Sequence, residues 1–207
     1  MNNLRCWVEI ERKTVAQNIR LLKSKLNNST EFLIVVKGDA YGHDIVEVSR
    51  IAVSEGATFL GVAYLEEASI LRKARIKIPI LLLTQPSISD IDTLIKLNVI
   101  PTVYSYEFAK VLSQKAKEQS KSLGIHIKID TGFHRLGIKG GGTISEIQKI
   151  NSLPHIEIQG FYTHFSSATT KDLDYTKTQF AIFMNAINQL KKKRVVAKYL
   201  HTANSPA

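Results

Sequence analysis

The sequence predicts an α/β fold of the (β/α)8 TIM-barrel type, broken off after about seven strands. Short apolar, β-branched runs alternate with longer segments of helical period, the pattern of βα units around a parallel sheet. The first strand candidate runs into Lys37-Gly38-Asp39-Ala40-Tyr41-Gly42-His43, which is not the glycine-rich first turn of an open doubly wound sheet. The unusual polar residues fall just after strand candidates, where barrel enzymes keep their active groups.

Strands are expected at residues 32–36, 58–63, 78–83, 99–103, 125–130, 157–162 and 195–200. Helices are expected near 12–26, 44–55, 65–74, 88–97, 105–119, 144–151 and 174–193. In the last helix Phe180, Phe183, Ile187 and Leu190 share a face, which should pack on the sheet. A closed barrel needs eight strands, so a seven-stranded chain is expected to leave two open edges, a liability for association and stability. No linker rich in Pro, Gly or Ser divides the chain, and residues 1–207 are read as one incomplete domain. Gly140, Gly141 and Gly142 lack the dinucleotide-binding spacing and are read as a loop.

Composition narrows the class. Hydrophobic residues make up 44% and charged residues 22%, ordinary for a soluble globular protein. The single cysteine, Cys6, cannot form an intrachain disulfide, and no Cys/His spacing suggests zinc. The first residues, MNNLRCWVEIERK, carry no apolar signal segment, and the apolar run 78–83 is too short to span a bilayer. A cytoplasmic protein with no membrane partner is expected. The net charge of +10 is scattered, apart from residues 191–194 closing the last helix, where cations suit the dipole. No aromatic platform interleaves with it, so no nucleic-acid partner is expected.

Lys37 follows the apolar run 32–36, so its amine is expected at the mouth of the barrel, where a lysine suits Schiff-base chemistry; the plain alternative is a lysine reaching to solvent. Strand alternation puts His126, Lys128 and Asp130 on one face and Ile125, Ile127 and Ile129 on the other. If the isoleucines face the helices, Lys128 points inward towards Arg135, and two cations would meet. Taken singly, Arg135 would pass for a surface ion-pair residue, His164 for a core histidine, and Asn204 and Ser205 for a turn.

Four segments alter that reading: VVKGDAYGH at 35–43, HIKIDTGFHRLG at 126–137, YTHF at 162–165 and HTANS at 201–205. In this order they resemble the motifs of the alanine racemase family over nearly the whole chain. The resemblance implies an enzyme that interconverts L-alanine and D-alanine with pyridoxal 5'-phosphate, supplying D-alanine for cell-wall peptidoglycan. It implies that Lys37 bears the cofactor and acts as one base, and that Tyr41, Asn204 and Ser205 contact its phosphate. By the same resemblance His164 packs on the pyridine ring. Arg135 meets the phenolic oxygen and orients the substrate carboxylate. Lys128 is expected to be carbamylated by carbon dioxide, becoming an anion that holds Arg135. No metal is implied.

The family continues past the Asn-Ser step with an eighth strand, an arginine to the pyridine nitrogen, and a β-rich domain whose tyrosine serves the active site of a partner subunit. A homodimer is therefore expected of the full-length enzyme, and poor racemisation of the 207 residues alone. Departures from the motifs are Gly38, Asp44, Phe133-His134 and Pro206. The alternatives left open are a barrel that holds pyridoxal phosphate without racemising, an inactive racemase fragment, and a sugar-phosphate barrel enzyme.

Overall fold

A computed structural model describes residues 6–206. The chain forms two compact units, the first reaching Ile80 and the second starting at Leu81.

The first unit holds α1 Arg12–Lys23, β1 Leu33–Val35, α2 Lys37–Gly42, α3 Ile45–Ser54, β2 Phe59–Val62 and α4 Leu65–Lys73. Strands β1 and β2 are parallel, with Leu33 opposite Phe59 and Val35 opposite Gly61. All of β2 is buried, and with Ala52, Ala68 and Leu71 it makes the core of this unit. α4 starts on Tyr64, whose N–H donates to Glu67 three residues on, so one acidic side chain satisfies amides the helix cannot. Strand β3 Ile80–Leu82 begins where this unit ends.

The second unit continues from β3 with a 3-10 turn Ile88–Asp90, α5 Ile91–Leu97, β4 Ile100–Val103, α6 Tyr106–Glu118 and β5 Leu123–Lys128. It closes with α7 Thr143–Asn151, β6 Ile156–Tyr162, α8 Asp174–Lys192 and β7 Tyr199–His201. Every observed pair from β3 to β7 is parallel and joins strands consecutive in the chain. This is the expected βα succession. The β5–β6 register shifts at Ile125/His126, a bulge of the kind that re-aims side chains near sites. Ile125, Ile127 and Phe161 from the strands and Leu112, Phe183 and Leu190 from the helices are all buried in its core.

Three expectations are corrected in detail. The helix expected at 88–97 opens as a 3-10 turn, because Ser87 and Asp90 cap each other there. The last strand is residues 199–201 rather than 195–200: Arg194 has a positive φ and the N–H of Val195 still bonds back to Leu190, so the chain is completing the helix end. On α8, Phe183, Ile187 and Leu190 are buried as expected, but Phe180 is 48% exposed and Gln179 takes the inward place.

Candidate active site

In the first unit the strand stops at Val35, and Lys37 does not continue it. Lys37 opens a turn in which Gly38, Asp39, Ala40 and Tyr41 all hold left-handed angles, φ 52° to 62° with ψ 37° to 45°. Left-handed helix costs L-residues roughly 1–2 kcal/mol each, so the surroundings must impose it. Glu67 supplies part of the restraint: one carboxylate oxygen accepts the N–H of Gly38 at 2.6 Å, and the other accepts those of Ala63 at 2.7 Å and Tyr64 at 3.1 Å. Asp39 accepts the N–H of Ile45 at 2.8 Å, and the Ala40 N–H donates to the Val36 carbonyl at 2.8 Å. Asp44 then caps α3 through the amides of Val46 and Glu47. Lys37 is thus half-buried on a strained, well-tied turn, with Tyr41 exposed. Strain of this kind gathers at functional sites.

In the second unit Lys128, Asp130, Phe133, Arg135, Thr163 and His164 line one narrow crevice. Lys128 is buried on the same strand face as His126, as alternation predicts, and its amine lies 5.3 Å from the centre of the Tyr162 ring. The Arg135 guanidinium sits 4.2 Å from the Phe133 ring, which in turn lies 5.4 Å from the ring of His164. Asp130 accepts the amides of Gly132 at 3.0 Å and His134 at 3.1 Å. Burial pushes its carboxyl up, but these N–H groups, with the charge of His134 and the Phe133 amide, together outweigh burial and hold it below the usual range.

Sequence reasoning did not single out the interior behind this crevice. His126 and His201 share a hydrogen bond of 2.9 Å between ring nitrogens. The His201 ring stacks on Tyr162 with centroids 4.6 Å apart, and His126 lies against Gly160, where an added Cβ would come within 2.6 Å of the imidazole. Burial lowers His126 to about 4; burial, then the charge of His126, lowers His201 to about 3. Both are neutral at pH 7. Tyr162 is pushed up by burial while its hydroxyl bonds Thr102 at 2.7 Å. The alternating strand pattern did place His126 inward, but only the register of β6 and β7 brings His201 beside it.

Asn204 follows β7 in irregular backbone, partly buried, and Ser205, exposed, opens the turn after it. The Asn204 side-chain oxygen is enclosed with no hydrogen-bond partner among the described residues. A buried acceptor left in that state favours a donor from outside.

A family model for the N-terminal domain of alanine racemase matches residues 10–207. The chain belongs to that family. The alanine racemase of Clostridium tetani (strain Massachusetts / E88) is 40% identical over 202 residues, which cover 97% of this chain and 52% of the relative. The structure of alanine racemase from Clostridium difficile 630 matches with a TM-score of 0.96 at 31% identity, over 100% of this chain and 57% of that one. Alanine racemase from Bacillus anthracis with bound L-Ala-P matches at 0.91 and 36%, over 97% and 52%. This alanine racemase family chain therefore spans about half the length of the relatives it matches. Among the described residues seven parallel strands alternate with helices, the fold the sequence predicted, and no helix is long and apolar enough to cross a membrane.

Proposed function

We propose that this chain is the pyridoxal-phosphate-binding barrel part of an alanine racemase, interconverting L-alanine and D-alanine to supply D-alanine for peptidoglycan. Its working form is a cytoplasmic homodimer. The observation that carries the reading is the likeness to alanine racemases over the whole chain; a lysine held on a strained turn at the tip of the first strand supports it. The donors of the second unit also fit the cofactor: a guanidinium lying on an aromatic ring of the crevice wall, and an enclosed polar atom without a partner among the described residues. In this assignment Lys37, Tyr41, Arg135, His164, Asn204 and Ser205 hold pyridoxal phosphate.

When bound, the cofactor supplies an electron-withdrawing ring that makes the α-hydrogen of an amino acid removable. The protein's own part is to bind, orient and move the proton. The Nζ of Lys37 takes and returns a proton on one face of the substrate Cα. Its tied turn limits where that amine can reach. Arg135, always charged and presenting a planar fork, binds the phenolic oxygen and orients the substrate carboxylate. His164 packs its ring on the pyridine, and the hydroxyls of Tyr41 and Ser205, with Asn204, receive the phosphate. Lys128 and Arg135 line one crevice, and two cations there repel. A carbamate on Lys128, formed when its amine adds carbon dioxide and loses a proton, turns that repulsion into an ion pair.

The test is an absorption spectrum with pyridoxal phosphate for the wild type and Lys37→Ala. The lysine-linked visible band appears in the first and is missing in the second. A band of equal strength in both would overturn the assignment.

A further inference from the structure

Among the described residues Gln179 is the one buried carboxamide side chain, and it sits on α8, outside the crevice residues, with no accessible surface. A buried carboxamide is costly unless its donors and acceptors are met. Here they are met by two loops. Its oxygen accepts the Ser166 N–H at 3.0 Å and the Ser166 hydroxyl at 3.2 Å. Its nitrogen donates to the His164 carbonyl at 3.2 Å and to Thr131 Oγ1 at 3.4 Å. Thr131 is joined in turn to Thr163 by a hydroxyl–hydroxyl bond of 2.8 Å. One turn earlier on α8, the Tyr175 hydroxyl donates to the Gly132 carbonyl at 2.8 Å. The approach is close, since a Cβ on Gly132 would stand 2.4 Å from that hydroxyl and its φ is +130°.

We propose that Gln179 is a positioning residue of the cofactor site: its carboxamide fixes the loop after β6 that carries His164 to the loop after β5 that leads to Phe133 and Arg135. The proposal rests on the functional reading above and names a residue that reading does not use. Gln179 does not itself line the crevice and acts through the His164 backbone and Thr131. An apolar residue of similar length keeps the packing and releases both loops. A glutamate keeps the acceptor for Ser166 but, when ionised, meets the His164 carbonyl with a like partial charge. Protonated, it regains a donor for that carbonyl.

The experiment measures the pyridoxal phosphate Kd and the induced circular dichroism of the bound cofactor from pH 8 to 6 for wild type, Gln179→Met, Gln179→Glu and Tyr175→Phe. Gln179→Met is expected to weaken binding about tenfold at every pH, the scale of one lost hydrogen bond of about 1.4 kcal/mol, and to diminish the induced signal. Gln179→Glu is expected to match that loss at pH 8 and to recover towards wild type at pH 6, relative to wild type at the same pH. A purely structural role would lower stability without that recovery. Tyr175→Phe, at a partly exposed side chain, is expected to give a smaller loss of the same kind and keeps the test open should Gln179→Met fail to fold. Wild-type binding at Lys37 with all three variants within twofold of it, or a Gln179→Glu ratio that ignores pH, would overturn the proposal alone. Absence of the lysine-linked band in the wild type would overturn the functional reading as well, and is thereby told apart.

Discussion

Lowering the pH from 7 to 5 should destabilise the second unit through the His126–His201 pair. Both imidazoles are lowered from 6.5, to about 4 and about 3, chiefly because burial penalises the charged form. The folded state therefore binds fewer protons than the unfolded chain below pH 6.5. Their contribution to stability is complete above 6.5 and is lost as the pH falls from there towards 4. Each histidine kept neutral costs about 1.4 kcal/mol per pH unit below 6.5. At pH 5 that is about 2 kcal/mol for His126 and at most about 4 kcal/mol for the pair, a large share of a typical domain's stability. The faces around the pair add the rings of Tyr162 and Tyr199, and the Lys128 amine lies over the Tyr162 ring. Urea unfolding midpoints between pH 7 and 5 measure it, for wild type and for His126→Gln with His201→Gln. The wild type should lose stability steeply and the double variant much less. Equal slopes in the two proteins, or a flat wild-type profile, would refute the reasoning.

Phe183→Ala empties a site in the core of the second unit, where the side chain is 1% exposed, and should cost about 3–5 kcal/mol by urea unfolding; a loss below about 1 kcal/mol would contradict the packing described. Asp44→Ala removes the cap that accepts two amides of α3 and should cost about 1 kcal/mol, read as a shift in thermal midpoint without loss of far-ultraviolet signal. With carbon-13 carbon dioxide supplied, Lys128 should give a carbamate carbon resonance that Lys128→Ala lacks. A spectrum without that resonance at saturating carbon dioxide would remove the carbamate from the account.

The order of the strands and helices was legible because apolar runs and helical periods are local properties of the chain. Boundaries slipped where local chemistry competed, as at Ser87 and Asp90 capping the 3-10 turn, or Val195 still bonding to the helix before it. Lys37 was legible as a strand-tip amine, but its left-handed turn was not, since Ala40 and Tyr41 do not ordinarily adopt positive φ. That geometry is held by Glu67, twenty-six residues beyond Tyr41 in the chain and visible only once β2 and α4 are folded. Gln179 escaped for a similar reason. Phe180 is the better core residue by type, yet the helix turns Gln179 inward, where two strand-end loops present polar groups.

The central claim is tested most directly by reducing the pyridoxal-phosphate-treated protein with borohydride and mapping the labelled peptide. The label should fall on Lys37 within the segment 35–43. A label on another lysine, or none, would contradict the account.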